Sequence, residues 1–252
     1  MESGYAPVNG LKVYYEIHGG ASPPRQVPLI LLHGGGDTIG TSFHWIIPEL
    51  ARSRRVVAFE REGYGRTADA RNLPFRFERA ADDTVALLQH LDIPLADFFG
   101  FSNGGTIALH IAISRPQVAR KLVVASGLFS HDGADPAFWK GFESATLDAM
   151  PKVLRDTYLN VAPKPENLQL MFDKSIRQMR EFRDIPAEAI RGITAPTLIV
   201  CGDSDIVRPE HAVGLFRLLP HAQLAILPGT DHMKVTSRVS WLAPMIEAFL
   251  DS

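Results

Sequence analysis

Leu95–Ile113 reads LADFFGFSNGGTIALHIAI. An apolar run passes through Gly100-Phe101-Ser102-Asn103-Gly104 into an Ala/Ile/Leu-rich segment with helical spacing, which predicts a strand, a sharp turn and a buried helix. Glycines two before and two after Ser102 fit such a turn, because a side chain at either place would collide where strand and helix fold back on each other. Ser102 is then forced outward, in the form of a nucleophile elbow. A five-residue G-x-S-x-G match is weak by itself, so the rest of the chain has to supply the other parts.

Working outward, strands alternate with helices on both sides. Tyr5–Val8 and Leu11–Ile17 flank Asn9-Gly10, a hairpin signal, so the chain opens antiparallel. The segment 19–28 is rich in Gly, Ser and Pro and reads as loop. Leu29–Leu32 is a wholly apolar run suited to a strand buried on both faces. The spacing predicts a helix over 41–51 capped by Thr41 or Ser42, a strand over 55–59 and an amphipathic helix over 77–91. Further strands are expected at 121–125, 196–201 and 223–227, with helices at 210–219 and 240–250. This alternation implies a mainly parallel sheet covered on both faces.

The interval 128–191 breaks the pattern. It carries large apolar residues at helical spacings, among them Phe138, Trp139, Phe142, Met150, Leu154, Met171 and Phe172, and prolines divide it into three or four helices. Set between two core strands, it reads as an inserted helical cap, with the core made of 1–127 and 192–252. Most of these residues are expected to be packing. Those facing the carboxyl edge of the sheet would line a pocket.

A serine hydroxyl is a poor nucleophile at neutral pH. It needs a base within hydrogen-bond reach and a carboxylate to hold that base in the right tautomer. Loops after later strands offer both: Gly202-Asp203-Ser204-Asp205 and Thr230-Asp231-His232-Met233. In a parallel sheet these loops share an edge with Ser102, where ligands bind in open α/β sheets.

Composition narrows the classes. The chain has 252 residues, 46% of them hydrophobic and 21% charged, with a formal charge of −2, which describes a globular protein with no electrostatic case for nucleic acid or acidic lipid. The start lacks the basic and apolar runs of a signal peptide, and no stretch is apolar for long enough to span a bilayer, so a cytoplasmic location is expected. The single cysteine, Cys201, excludes an intramolecular disulfide and a Cys-based metal cluster. Gly34-Gly35-Gly36 lacks the spacing and following Lys of a phosphate loop. No metal or cofactor is expected, and the partner is a small molecule, with the chain a monomer or homodimer.

With elbow, His33-Gly34-Gly35-Gly36 loop, Gly63-Tyr64-Gly65-Arg66-Thr67 loop, cap position and the order Ser, Asp, His in view, the chain resembles the α/β-hydrolase-fold enzymes over nearly its whole length. The resemblance implies a mostly parallel eight-stranded sheet flanked by helices, with a helical cap. It makes Ser102 the nucleophile, His232 the base and Asp205 the orienting acid. The family's G-x-x-D pattern selects Asp205 over its competitor Asp203. The oxyanion donors would be the backbone N–H groups of Gly35 and Asn103, with Gly34 next. His33 would steady the oxyanion loop. Cap and loop residues expected near the substrate are Gly34, Phe101, Trp139, Met150 and Met233.

A serine at the elbow argues against epoxide hydrolases and haloalkane dehalogenases, which place Asp there. Met233 directly after His232, with Lys234 one later, argues against hydroxynitrile lyases. The expected activity is hydrolysis of a small or medium carboxylic ester or lactone. Carbon–carbon hydrolases of ring-cleavage products and cofactor-free haloperoxidase-like members share the motifs, and a receptor-like binding module is the non-enzymatic alternative. Diacids or aromatic dienoates would call for a positive group facing Ser102, for which Arg66, Lys140, Arg177 and Arg180 are the candidates.

Overall fold

The computed structural model describes residues 1–20 and 27–252; the part of the expected loop at 21–26 lies outside the described residues. Strands β1 (Glu2–Val8) and β2 (Leu11–His18) form an antiparallel hairpin closing at Val8↔Leu11. Its two turn residues both have positive φ, 47° at Asn9 and 84° at Gly10. That is the conformation the Asn-Gly pair favours, because it matches the twist of the strands.

The remaining strands are β3 (Leu29–Leu32), β4 (Val56–Phe59), β5 (Ala96–Phe101), β6 (Ala119–Ala125), β7 (Thr197–Ser204) and β8 (Ala222–Asp231). They form one eight-stranded sheet in the order β1-β2-β4-β3-β5-β6-β7-β8. The β2–β4 pair is antiparallel, and from β4 to β8 every neighbour is parallel. Leu29 to Leu32 are each 0% exposed, as a strand covered on both faces requires. Each such side chain contributes about 1.5–3 kcal/mol relative to leaving it in water.

Helices α1 (Ile39–Phe43) and α2 (Ile47–Leu50) stand where one helix over 41–51 was expected. Pro48 explains the break: it has no N–H to give, and its ring would meet the carbonyl of His44 in a continuous helix. The cap of α1 is Thr38, whose hydroxyl accepts from Thr41 N–H while Thr41 reaches back to Thr38 N–H. Neither Thr41 nor Ser42 is the N-cap.

Next come α3 (Phe77–His90) and α4 (Asn103–Ser114), and between β6 and β7 the chain forms α5 (Pro136–Gly141), α6 (Lys152–Val161), α7 (Leu168–Arg180) and α8 (Ala187–Arg191). Helices α9 (Pro209–Leu218) and α10 (Val239–Asp251) follow β7 and β8. One face of the sheet packs against α3, α4 and α9 and the other against α1, α2 and α10. Met150, Leu154, Tyr158, Met171 and Phe172 form a third cluster with Tyr64 and Phe75 of the core. Two polar links tie α7 to the core: Tyr64 Oη and Ser175 Oγ at 2.9 Å, and a buried Lys174–Asp69 ion pair. No helix among the described residues is long and apolar enough to cross a membrane.

Parallel order brings the carboxyl ends of β5, β6, β7 and β8 to one edge. Ser102, Ser126, Asp205 and His232 stand at or just beyond those four ends.

Candidate active site

The turn at Ser102 is built by exclusion of atoms. A Cβ on Gly100 would lie 2.1 Å from the Gly104 carbonyl oxygen, and one on Gly104 would lie 1.9 Å from the Leu32 carbonyl oxygen. No side chain fits at either place, so strand and helix can cross closely only with glycine there. Ser102 itself has φ 54° and ψ −122°, a strained conformation for a residue with a Cβ. Its N–H is held by the Ala125 carbonyl at 2.8 Å.

From Ser102 a chain of hydrogen bonds runs inward. Ser102 Oγ stands 3.0 Å from His232 Nε2, and His232 Nδ1 stands 2.6 Å from Asp205 Oδ1. A carboxylate only accepts, so Nδ1 carries the proton and Nε2 is free to take one from the serine. The Asp205 side chain is fully buried. Burial alone would raise its carboxyl, but the His232 bond and charge, the Ser126 hydroxyl and the Val207 N–H outweigh this and hold it below the usual carboxylate value. Ser126 Oγ donates to Asp205 Oδ2 at 2.6 Å and Gly202 N–H to the same oxygen at 3.2 Å.

Asp203 does something else. Its exposed carboxylate accepts from the N–H groups of Gly229 (2.9 Å) and Thr230 (3.1 Å), which also hold its carboxyl low. It fastens the end of β7 to the segment that leads into His232.

On the other side of Ser102 lies the Gly loop. The Gly34 carbonyl accepts from Arg61 Nη2 at 2.7 Å and from His33 Nδ1 at 2.8 Å. His33 Nε2 accepts Arg61 N–H at 3.1 Å, which fixes the tautomer that lets Nδ1 donate. In a trans peptide N–H and C=O point opposite ways. With the Gly34 carbonyl turned to Arg61 and His33, the Gly35 N–H faces away from them. Full burial, then the Arg61 charge, push the His33 imidazole well below its ordinary value, keeping it neutral. Asn103 begins α4, where the first N–H groups have no partner within the helix.

Above these groups is a cavity of about 350 Å³, floored by Gly35, Gly36, Ser102, Asn103 and His232. Its walls come mainly from the helical segment: Phe138 and Phe142 around α5, Met150 and Leu154 at α6, Met171, Phe172, Ile176 and Met179 on α7.

Residues 29–243 match the model of the "Alpha/beta hydrolase family". The chain belongs to that family. Among curated relatives it is 27% identical to the 2-hydroxymuconate semialdehyde hydrolase of Pseudomonas sp. (strain CF600), over 88% of this chain and 86% of that one. It is 28% identical to the putative carbamate hydrolase RutD of Stutzerimonas stutzeri (strain A1501), over 95% and 96%. Among solved structures, the enol-lactonase from Burkholderia xenovorans LB400 superposes with a TM-score of 0.78 at 19% identity, covering 98% of this chain and 100% of that one.

In this hydrolase the sequence expectations about the cavity wall divide. Met150 lines it, as do Gly35 and Asn103. Trp139 does not: Phe138 and Phe142 are one turn apart and share a face, while Trp139 is rotated away, donating Nε1–H to the His131 carbonyl at 2.8 Å and packing on His131 and Phe182. Phe101 lies beneath, buried, its ring 4.9 Å from that of His232. Gly34 faces Asp37 rather than the cavity, and Met233 is 52% exposed. Arg66 pairs with Glu60, Arg177 pairs with Glu181, Arg180 donates to two backbone carbonyls and Lys140 is exposed, so none of the four candidate cations lines the cavity.

Sequence reasoning missed three residues. Arg61 sits inside the Glu60-to-Thr67 loop and Ser126 directly after β6, one strand from the elbow, so position at the active edge was the available signal. Asp37 had no sequence signal. Burial pushes its carboxyl up, against the Thr41 and Ser42 hydroxyls and the nearby charges of His232 and Arg61.

Proposed function

We propose that this hydrolase cleaves a small or medium carboxylic ester or lactone through an acyl-enzyme. The observation that carries the reading is the unbroken hydrogen-bond chain Ser102–His232–Asp205 at the floor of a cavity beside the Gly35 and Asn103 N–H groups. Ser102 Oγ attacks the carbonyl carbon as its proton passes to His232 Nε2. The oxyanion forms against the N–H groups of Gly35 and Asn103. Imidazolium returns the proton to the leaving alkoxide. Water, deprotonated by the same nitrogen, then attacks the acyl carbon, the bond to Ser102 Oγ breaks, and the imidazolium gives its proton back to Oγ as the acid leaves. Asp205 keeps the tautomer and stabilises the imidazolium throughout. These steps use only the side chains and N–H groups named, the substrate and water.

A second reading, hydrolysis of a carbon–carbon bond in a ring-cleavage product, is supported by the likeness to the 2-hydroxymuconate semialdehyde hydrolase. Turnover of p-nitrophenyl esters by the wild type, its loss in Ser102→Ala and labelling of Ser102 by a fluorophosphonate test the ester reading. A folded wild type inert to esters, lactones and the fluorophosphonate overturns it. Tight ligand binding unaffected by Ser102→Ala, with no turnover, would instead mark a binding module.

A further inference from the structure

We propose that the cavity over Ser102 is selective for an uncharged, apolar substrate, a medium-chain or aryl-bearing ester, and rejects substrates that carry a carboxylate beneath the cap. This rests on the acyl-enzyme reading and names the substrate class of that same site.

The wall is made mainly of Phe, Met, Leu and Ile side chains, and among the described residues lining it there is no Asp, Glu, Lys or Arg. The nearest buried cations are committed elsewhere. Arg61 holds the Gly34 carbonyl, and Lys174 is paired with Asp69; neither lines the cavity. The hydroxyls are scarcely better. Ser175 donates to the Met171 carbonyl at 2.8 Å, so Tyr64 Oη donates to Ser175, and Ser175 has no proton left to offer. Thr146 lies at the exposed mouth with Gly141, Ala149 and Pro151.

A carboxylate beneath the cap would find no cation among the lining residues, and the oxyanion N–H groups would be taken by the reacting carbonyl. It would also approach the ionised Asp205. Removing a charge from water without a partner is among the costliest steps in recognition. Apolar groups meet the opposite situation. Three of the wall residues, Met150, Met171 and Met179, are unbranched and adjust to varied shapes, and about 350 Å³ lies at the small end of ligand cavities.

The experiment compares matched neutral and anionic esters. Along p-nitrophenyl acetate, butanoate and hexanoate, kcat/KM should rise about fourfold per buried methylene. Mono-p-nitrophenyl adipate repeats the hexanoate shape with a terminal carboxylate, and the acetate ester of 6-hydroxyhexanoate does the same for hexyl acetate on the alcohol side. The anionic member should fall by tenfold or more, on the order of 100-fold, in at least one pair. A penalty under tenfold in both pairs, with hydrolysis still abolished in Ser102→Ala, overturns the substrate class while leaving the serine-hydrolase reading standing. A dienoate carboxylate turned over faster than every neutral ester overturns it as well. Inertness to all esters, with no fluorophosphonate label on Ser102, overturns the reading beneath and this inference with it.

Discussion

Ser126 Oγ donates to Asp205 Oδ2 at 2.6 Å from a backbone position with φ 53°, in the left-handed region a serine rarely adopts. The hydroxyl is aimed at the carboxylate from the end of β6, one strand from the serine and one from the acid. Ser126→Ala removes a charge-assisted bond and leaves one buried lone pair unmet, so unfolding stability should fall by about 1–3 kcal/mol. Asp205 would still hold His232 through Oδ1. We therefore expect kcat to fall by no more than about tenfold, against on the order of 10⁴ for Asp205→Asn, which destroys the tautomer. Urea unfolding and ester kinetics on both variants check this, and equal losses would mean that Ser126 orients the acid by itself.

Arg61 acts on the other flank of the serine. It donates to the Gly34 carbonyl at 2.7 Å, and the peptide so oriented carries the Gly35 N–H. Arg61→Met should release that peptide and cost kcat about 10²–10³, the size seen when one oxyanion donor is lost, with KM little changed because the effect falls on the developing charge. Arg61→Lys, which keeps a cationic donor for the Gly34 carbonyl, should recover part of it. A matched rise in KM with kcat intact would place Arg61 in substrate binding instead.

What the sequence disclosed and what it hid follow a physical division. Gly100, Gly104, Ser102 and the Asn9-Gly10 turn were legible because their constraints are local: a Cβ has nowhere to go, or φ must be positive. Parallel strand order carries the loops of His232 and of both Asp203 and Asp205 to one edge, and the spacing from Gly202 separated the two aspartates only through the family resemblance. Arg61, Ser126 and Asp37 act through partners 27, 79 and other distant positions away along the chain or through burial, and such pairings leave no periodic trace. The segment 128–191 shows the same limit: helical spacing located apolar residues, but whether Phe138 or Trp139 turned inward depended on how α5 docks. The break between α1 and α2 was readable from Pro48 and its effect on the carbonyl four residues earlier.

Acid should loosen the protein through His211. Its ring is buried and stacked on Phe129 at 4.2 Å, and its Nε2 accepts the Phe129 N–H at 3.2 Å. Burial lowers its value from 6.5 to about 4. A group whose folded value is depressed gives stability that is complete above the unfolded value and is lost as pH falls toward the folded one. The window is therefore pH 6.5 down to about 4, and the loss is at most about 3 kcal/mol. Urea midpoints across this range should slope for the wild type and flatten for His211→Gln. Asp205, whose carboxyl is also depressed, adds its own loss only below the ordinary carboxylate range.

The Asn103 side chain packs against Gly35: a Cβ built on Gly35 would come within 2.7 Å of Asn103 Nδ2. Yet what the proposed chemistry asks of Asn103 is its backbone N–H at the start of α4, which any residue but proline supplies. Asn103→Ala keeps that N–H and loses only the packing on the Gly35 loop. Its kcat should stay within about tenfold of wild type, while Ser102→Ala loses on the order of 10⁴ or more. Single-turnover release of p-nitrophenol separates the two cases. If Asn103→Ala proved as damaging as Ser102→Ala, its amide would itself contact the reacting atoms, and the oxyanion site would have to be redrawn around that side chain.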